Sequence, residues 1–133
     1  MSKTQSSLAW TAGIVVLIGT AAAAVLPRVV TSASGGVREI HLVVRDMTYY
    51  AEGQDTPNPT LLVRRGEHVR ILLRNDDAGM SHDFAVRAWN KGTGIVNGRG
   101  DAAVELTAPR TAGEATYACT PHGEMMRGTI RVE

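Results

Sequence analysis

From Val37 onward apolar and polar positions alternate with a period of two. Ile40, Leu42 and Val44 fall on one side of His41, Val43 and Arg45, so the stretch predicts a strand with one apolar face. Residues 48–58, with Gly53 and Pro57, break the pattern. Thr60 to Val63 resumes it until Arg65-Gly66 makes a turn. From His68 to Asn75 the inward positions are Val69, Ile71 and Leu73, and the outward ones His68, Arg70, Leu72 and Arg74. His82, Phe84 and Val86 share a parity, which predicts a strand opened by an inward histidine. Asn90 to Gly100 is rich in glycine and reads as a surface loop. Ala102 to Thr107, Glu114 to Cys119 and Arg127 to Glu133 are the remaining predicted strands, with Ala115, Tyr117 and Cys119 on one face. Trp89 and Tyr117 read as core aromatics. Short strands punctuated by Gly, Pro and Asn, with no helical period beyond residue 26, give an all-β sandwich.

The first residues follow a different rule. Met1 to Ser7 is polar and carries Lys3, and Leu8 to Leu26 then runs without a charge to Pro27-Arg28. As a helix rising ~1.5 Å per residue, residues 8–26 span roughly 28 Å, close to the hydrocarbon core of a bilayer. The run is longer than the roughly 7–15 residues of a usual signal-peptide core, so an uncleaved anchor is preferred to a cleaved leader, although Ala21 to Ala24 offers small-x-small sites. Either way the remainder is exported. The expected organisation is an N-terminal hydrophobic helix within residues 1–27, a flexible tether over 28–36 ending in Ser34-Gly35-Gly36, and a folded domain over 37–133. Its place is extracytoplasmic (periplasmic), anchored in the cytoplasmic membrane by residues 8–26, or secreted and soluble if the leader is cleaved.

Composition narrows the function. A formal net charge of +1, with arginines scattered along strands, argues against a nucleic-acid partner. One cysteine excludes an internal disulfide and a centre bridged by two thiolates, and leaves a single-metal site open. Two motifs come to nothing. Asn58-Pro59-Thr60 has proline where a glycosylation site forbids it, and Gly92-Thr93-Gly94 has Asn97 where a dinucleotide fingerprint needs glycine.

The chemistry gathers in Cys119-Thr120-Pro121-His122-Gly123-Glu124-Met125-Met126, between two predicted strands. One loop offers a thiolate, an imidazole and a thioether, the soft and borderline donors that suit copper in a trigonal Cys-His₂ site with a weak axial methionine. His82 is the best-placed second histidine, since His41 and His68 lie on polar strand faces. Zinc fits less well, because a thioether is a poor ligand for it.

These stretches, Asn75 to Phe84 and Cys119 to Gly128, resemble the cupredoxin family, nearest its plastocyanin and amicyanin-like members; Cys119-Thr-Pro-His122 and Met126-Arg127-Gly128 are the most specific part. The resemblance implies a Greek-key sandwich holding one copper ion, cycling between Cu(I) and Cu(II), on His82, Cys119, His122 and Met126. Met125 competes as axial ligand because amicyanin-like loops leave two residues between histidine and methionine. Strand parity and the Met-Arg-Gly tail choose Met126. Asp83 stands where the family usually has asparagine, and its carboxylate is expected to accept a hydrogen bond from the Thr120 hydroxyl. Family likeness also implies an electron carrier rather than an enzyme. His122 would lie near the surface inside a collar of Pro121, Gly79, Met80 and Met125, with Glu124 on the rim to orient a basic partner. The implied partners are redox proteins such as a c-type cytochrome or a membrane oxidase or reductase complex. Copper storage or delivery is the alternative function. Multicopper oxidase chemistry would need more than the four histidines present, usually in His-x-His pairs.

Overall fold

The alternation read from the sequence is realised as burial over residues 68–75, and near residue 43 is broken by Val43, expected outward but buried. The computed structural model describes residues 36–133, and in it Leu42, Val44, Val69, Ile71 and Leu73 are almost wholly buried while His41, His68, Arg70 and Arg74 are exposed. The expected hydrophobic helix and all but the last residue of the expected tether lie outside the described residues. Among the described residues no helix is long and apolar enough to cross a membrane.

The described residues form eleven strands: β1 (Arg38–Arg45), β2 (Thr48–Ala51), β3 (Leu61–Val63), β4 (His68–Asn75), β5 (Ser81–His82), β6 (Ala85–Val86), β7 (Lys91–Gly92), β8 (Val96–Asn97), β9 (Gly100–Thr107), β10 (Gly113–Ala118) and β11 (Arg127–Val132). Among the described residues the helical content is one 3₁₀ turn, Arg87–Trp89. One sheet has the order β2-β1-β4-β9 and the other β3-β11-β10-β6-β7, with β5 and β8 forming a small separate pair. β1 lies parallel to β4, and β11 parallel to β3; the other pairs are antiparallel. Leu42, Val44, Ile71 and Leu106 of the first sheet meet Leu61, Tyr117, Ile130 and Val132 of the second in one core.

Three local expectations change. Residues 48–51 form a strand although the segment around them breaks the alternation. Asp46 and Met47 adopt left-handed φ of 50° and 58°, a tight turn that folds β2 back on β1, with Val44 opposite Tyr49. His82 and Phe84 do not share one strand. β5 pairs with β8, β6 pairs with β10 and β7, and Asp83-Phe84 bridges the two elements, although His82, Phe84 and Val86 all point inward. The 90–100 stretch is not all loop, since it contributes β7 and β8.

The aromatic residues sit together. Tyr117 stacks on Phe84 with centroids 5.1 Å apart, and Tyr49 meets Tyr117 edge-on at 5.3 Å. Tyr117 donates its hydroxyl hydrogen to the Pro59 carbonyl at 2.7 Å, and Tyr49 donates to the Asp83 carbonyl. Burial pushes both phenols above their ordinary value of 10.0, so they remain neutral donors. Trp89 is only half-buried at the core edge.

Candidate metal centre

Two segments deliver the donors. β10 ends at Ala118, and Cys119 follows with its side chain fully buried on the inward parity of Tyr117. The chain then makes a compact reversal. The Met126 N–H reaches the His122 carbonyl at 2.9 Å, and the Cys119 N–H reaches the Met126 carbonyl at 3.0 Å, so the loop's two ends are tied as β11 begins. Gly128 faces Tyr117 across the β10–β11 register, and a Cβ there would fall within the Tyr117 ring. Glycine at this place lets the ring lie flat against the partner strand, next to both loop ends.

His82 enters from β5 and is fully buried. Its Nδ1 lies 3.7 Å from the Cys119 Sγ, and the His122 Nδ1 lies 3.6 Å from the same sulfur. The ligand atoms of His82, Cys119 and His122 are all within 4.8 Å of one another. Three donors in a plane around one ion, at bonds of about 2.1 Å, stand about 3.6 Å apart by the geometry of an equilateral triangle. The cluster therefore has the dimensions of a shared first-row metal site. Met126, at 0 % exposure, lies on the buried side of this loop, whereas Met125 is 62 % exposed. His122 is half-buried, and His41 and His68 are remote surface residues that meet Glu39 and Glu105 respectively.

The electrostatics suit a metal as well. Burial pushes the Cys119 thiol above its ordinary value of 9.0; the backbone N–H groups of Asp83 and His122 oppose this, and the Asp83 carboxylate adds to it. Burial also lowers the His82 imidazole from 6.5, against the pull of Asp77. Without an ion the cluster is thus a neutral thiol beside a neutral imidazole, and a bound cation displaces the thiol proton. His82 offers an unprotonated nitrogen without first losing a proton.

The surrounding contacts differ from expectation in one respect and add two residues. Asp83 does link the two segments, but Oδ1 accepts the Thr120 backbone N–H at 2.5 Å, where the sequence suggested the Thr120 hydroxyl. A backbone donor is fixed by the turn itself and needs no rotamer of Thr120. Tyr49 reaches the site from β2, and Asp77 from the turn that leads into His82. Tyr49 holds the Asp83 carbonyl, and Asp77 Oδ2 lies 3.1 Å from His82 Nε2. Asp77 looked like part of a polar turn; its spacing from His82 gave no periodic signal. Of the expected collar, Met80, Met125, Gly79 and Pro121 are exposed, as is Glu124.

Residues 73–133 match the family model of copper binding proteins, plastocyanin/azurin family. No curated protein sequence matches the chain. Among solved structures, the fold is similar to auracyanin A, a "blue" copper protein from Chloroflexus aurantiacus, at 20 % identity and a TM-score of 0.58, covering 74 % of this chain and 100 % of that one. Reduced rusticyanin gives 23 % identity and a TM-score of 0.51, covering 74 % and 81 % of the two chains. The multicopper oxidase McoA from Aquifex aeolicus gives 16 % identity and 0.56, covering 72 % of this chain but 26 % of the oxidase. The described residues have an all-β, cupredoxin-like fold, residues 73–133 match the plastocyanin/azurin family of copper-binding proteins, and His82, Cys119, His122 and Met126 are positioned as a single copper site.

Proposed function

We propose that the protein carries single electrons between redox partners on the extracytoplasmic side of a membrane, held there by residues 8–26. The observation that carries this reading is the compact, mostly buried donor triangle of His82, Cys119 and His122. Copper, when bound, supplies one-electron chemistry between Cu(I) and Cu(II).

The protein's own part is to hold the donors still and to control access. Cys119 and His82 are anchored in the core and screened from water. Asp83 pins the Thr120 backbone, and the Met126–His122 hydrogen bond closes the loop. A donor set that moves little between oxidation states exchanges electrons with little rearrangement. His122 alone of the three is half-buried, which makes it the point of closest approach for a partner. Exposed Met80 and Met125 supply an apolar surface for a transient encounter, and Glu124 adds a negative charge to it. The donors and acceptors favoured are a c-type cytochrome and a membrane oxidase or reductase complex. The protein is read as a carrier without a substrate of its own. Copper delivery would instead require that Cu(I) leave readily.

The test is retention through turnover. Full-length protein loaded with copper should be reduced and reoxidised repeatedly, with the metal measured after each cycle against a Cu(I) chelator. Constant copper and a fully recovered oxidised spectrum support the carrier; loss of the metal on the first reduction contradicts it.

A further inference from the structure

Asp77 is bound from two directions. Its carboxylate accepts the backbone N–H of Asp46 at 2.7 Å on Oδ1 and that of Met47 at 3.0 Å on Oδ2. Those donors belong to the β1–β2 turn, whose two left-handed residues direct successive N–H groups at the same anion. Asp77's own N–H is held by Asn75 Oδ1 at 2.9 Å. Asn75, itself buried, donates to the Met80 and Gly98 carbonyls, fixing the segment between β4 and β5. The remaining approach to Oδ2 is taken by His82 Nε2 at 3.1 Å, with the Asp77 side chain 14 % exposed and the imidazole 0 %.

We infer that Asp77 is a positioning residue for the metal centre, a carboxylate that fixes the ring and the tautomer of His82 and lowers the reduction potential of the bound ion. This inference rests on the copper-carrier reading above. An Nε2–H donated to Asp77 leaves the Nδ1 lone pair as the free donor, and Nδ1 is the atom that faces Cys119 Sγ. The negative charge behind the ring makes the imidazole a stronger donor, which favours Cu(II) over Cu(I). Because the carboxylate is seated on the β1–β2 turn, the rigidity of that hairpin reaches the ligand through two hydrogen bonds.

The experiment has two readouts. In wild-type, metal-free, full-length protein, nitrogen-15 NMR should show His82 as the neutral Nε2–H tautomer with a slowly exchanging ring proton. The Nδ1–H tautomer, or a ring proton exchanging freely with water, overturns the inference without any substitution having to fold. In Asp77→Asn, Cu(II) affinity should fall about 10- to 100-fold and the potential should rise, by about 59 mV for each tenfold loss confined to Cu(II). A folded Asp77→Asn protein with unchanged affinity and potential overturns the inference and leaves Asp77 a purely structural residue. A colourless wild-type Cu(II) protein would sink the carrier reading instead, while the tautomer would still report on the Asp77–His82 contact.

Discussion

Replacing Gly128 by alanine puts a methyl group where the Tyr117 ring lies. The ring has little room to yield. Its hydroxyl is bonded to the Pro59 carbonyl at 2.7 Å, one face stacks on Phe84, and Tyr49 meets it edge-on. Either β11 moves away from β10, or Tyr117 turns out and gives up its buried partners. Overpacking of this kind costs about 1–3 kcal/mol, and loss of the hydroxyl bond or an aromatic pair about 1 kcal/mol more. The expected destabilisation is therefore about 2–4 kcal/mol. With a urea slope near 2 kcal/mol/M, the unfolding midpoint of the metal-free protein should fall by about 1–2 M. Adding Tyr117→Leu to Gly128→Ala should cost less than the sum of the two single changes, since the collision they share is then gone. A Gly128→Ala midpoint within about 0.25 M of wild type, or strict additivity in the double variant, would refute this account of why glycine stands beside the loop.

Other consequences can be checked on the same protein. Met126→Leu should keep the thiolate-to-Cu(II) band but shift the reduction potential, while Met125→Leu should change neither; the reverse would make Met125 the axial ligand. Asp83→Ala should leave the Thr120 N–H unpartnered and lower stability by about 1–3 kcal/mol in urea unfolding, whereas Thr120→Val should cost far less because only the backbone of Thr120 is used. The metal-free protein should lose stability as pH falls below about 6.5. There the unfolded chain takes up a proton that the buried His82, with its lowered value, refuses. Asp77 adds loss of the same sign further down. Burial raises its value, but the Met47 and Asp46 N–H groups and His82 outweigh that and hold it below its ordinary 3.8. Unfolding free energies that rise on acidification from pH 7 to 5 would contradict the His82 assignment, and a rise below pH 4 that of Asp77.

How far the sequence reveals this protein depends on the range of the interaction. Alternation is a local signal, so Val69, Ile71 and Leu73 announced their strand, and strand parity together with the Met-Arg-Gly tail separated the buried Met126 from the exposed Met125. Cys119 and His122 lie in one loop, where donor type was itself the clue. His82 could be singled out because it shares its parity with Phe84 and Val86, yet the break between β5 and β6 has no local signature and arises from pairing with β8 and β10. β2 was hidden because a four-residue strand beside Gly53 and Pro57 depends on the turn at Asp46-Met47, whose left-handed residues are not glycine. Asp77 was least legible. Its partners Asp46 and Met47 lie about thirty residues upstream, so only the parallel pairing of β1 with β4 brings the β1–β2 turn over the segment that follows β4.

The most direct test of the central claim is the visible absorption spectrum of the full-length protein loaded with Cu(II). An intense blue thiolate-to-copper band that bleaches on reduction, returns on oxidation and is absent in Cys119→Ser is the expected result. A colourless or weakly absorbing Cu(II) protein, or a band that survives Cys119→Ser, would contradict it.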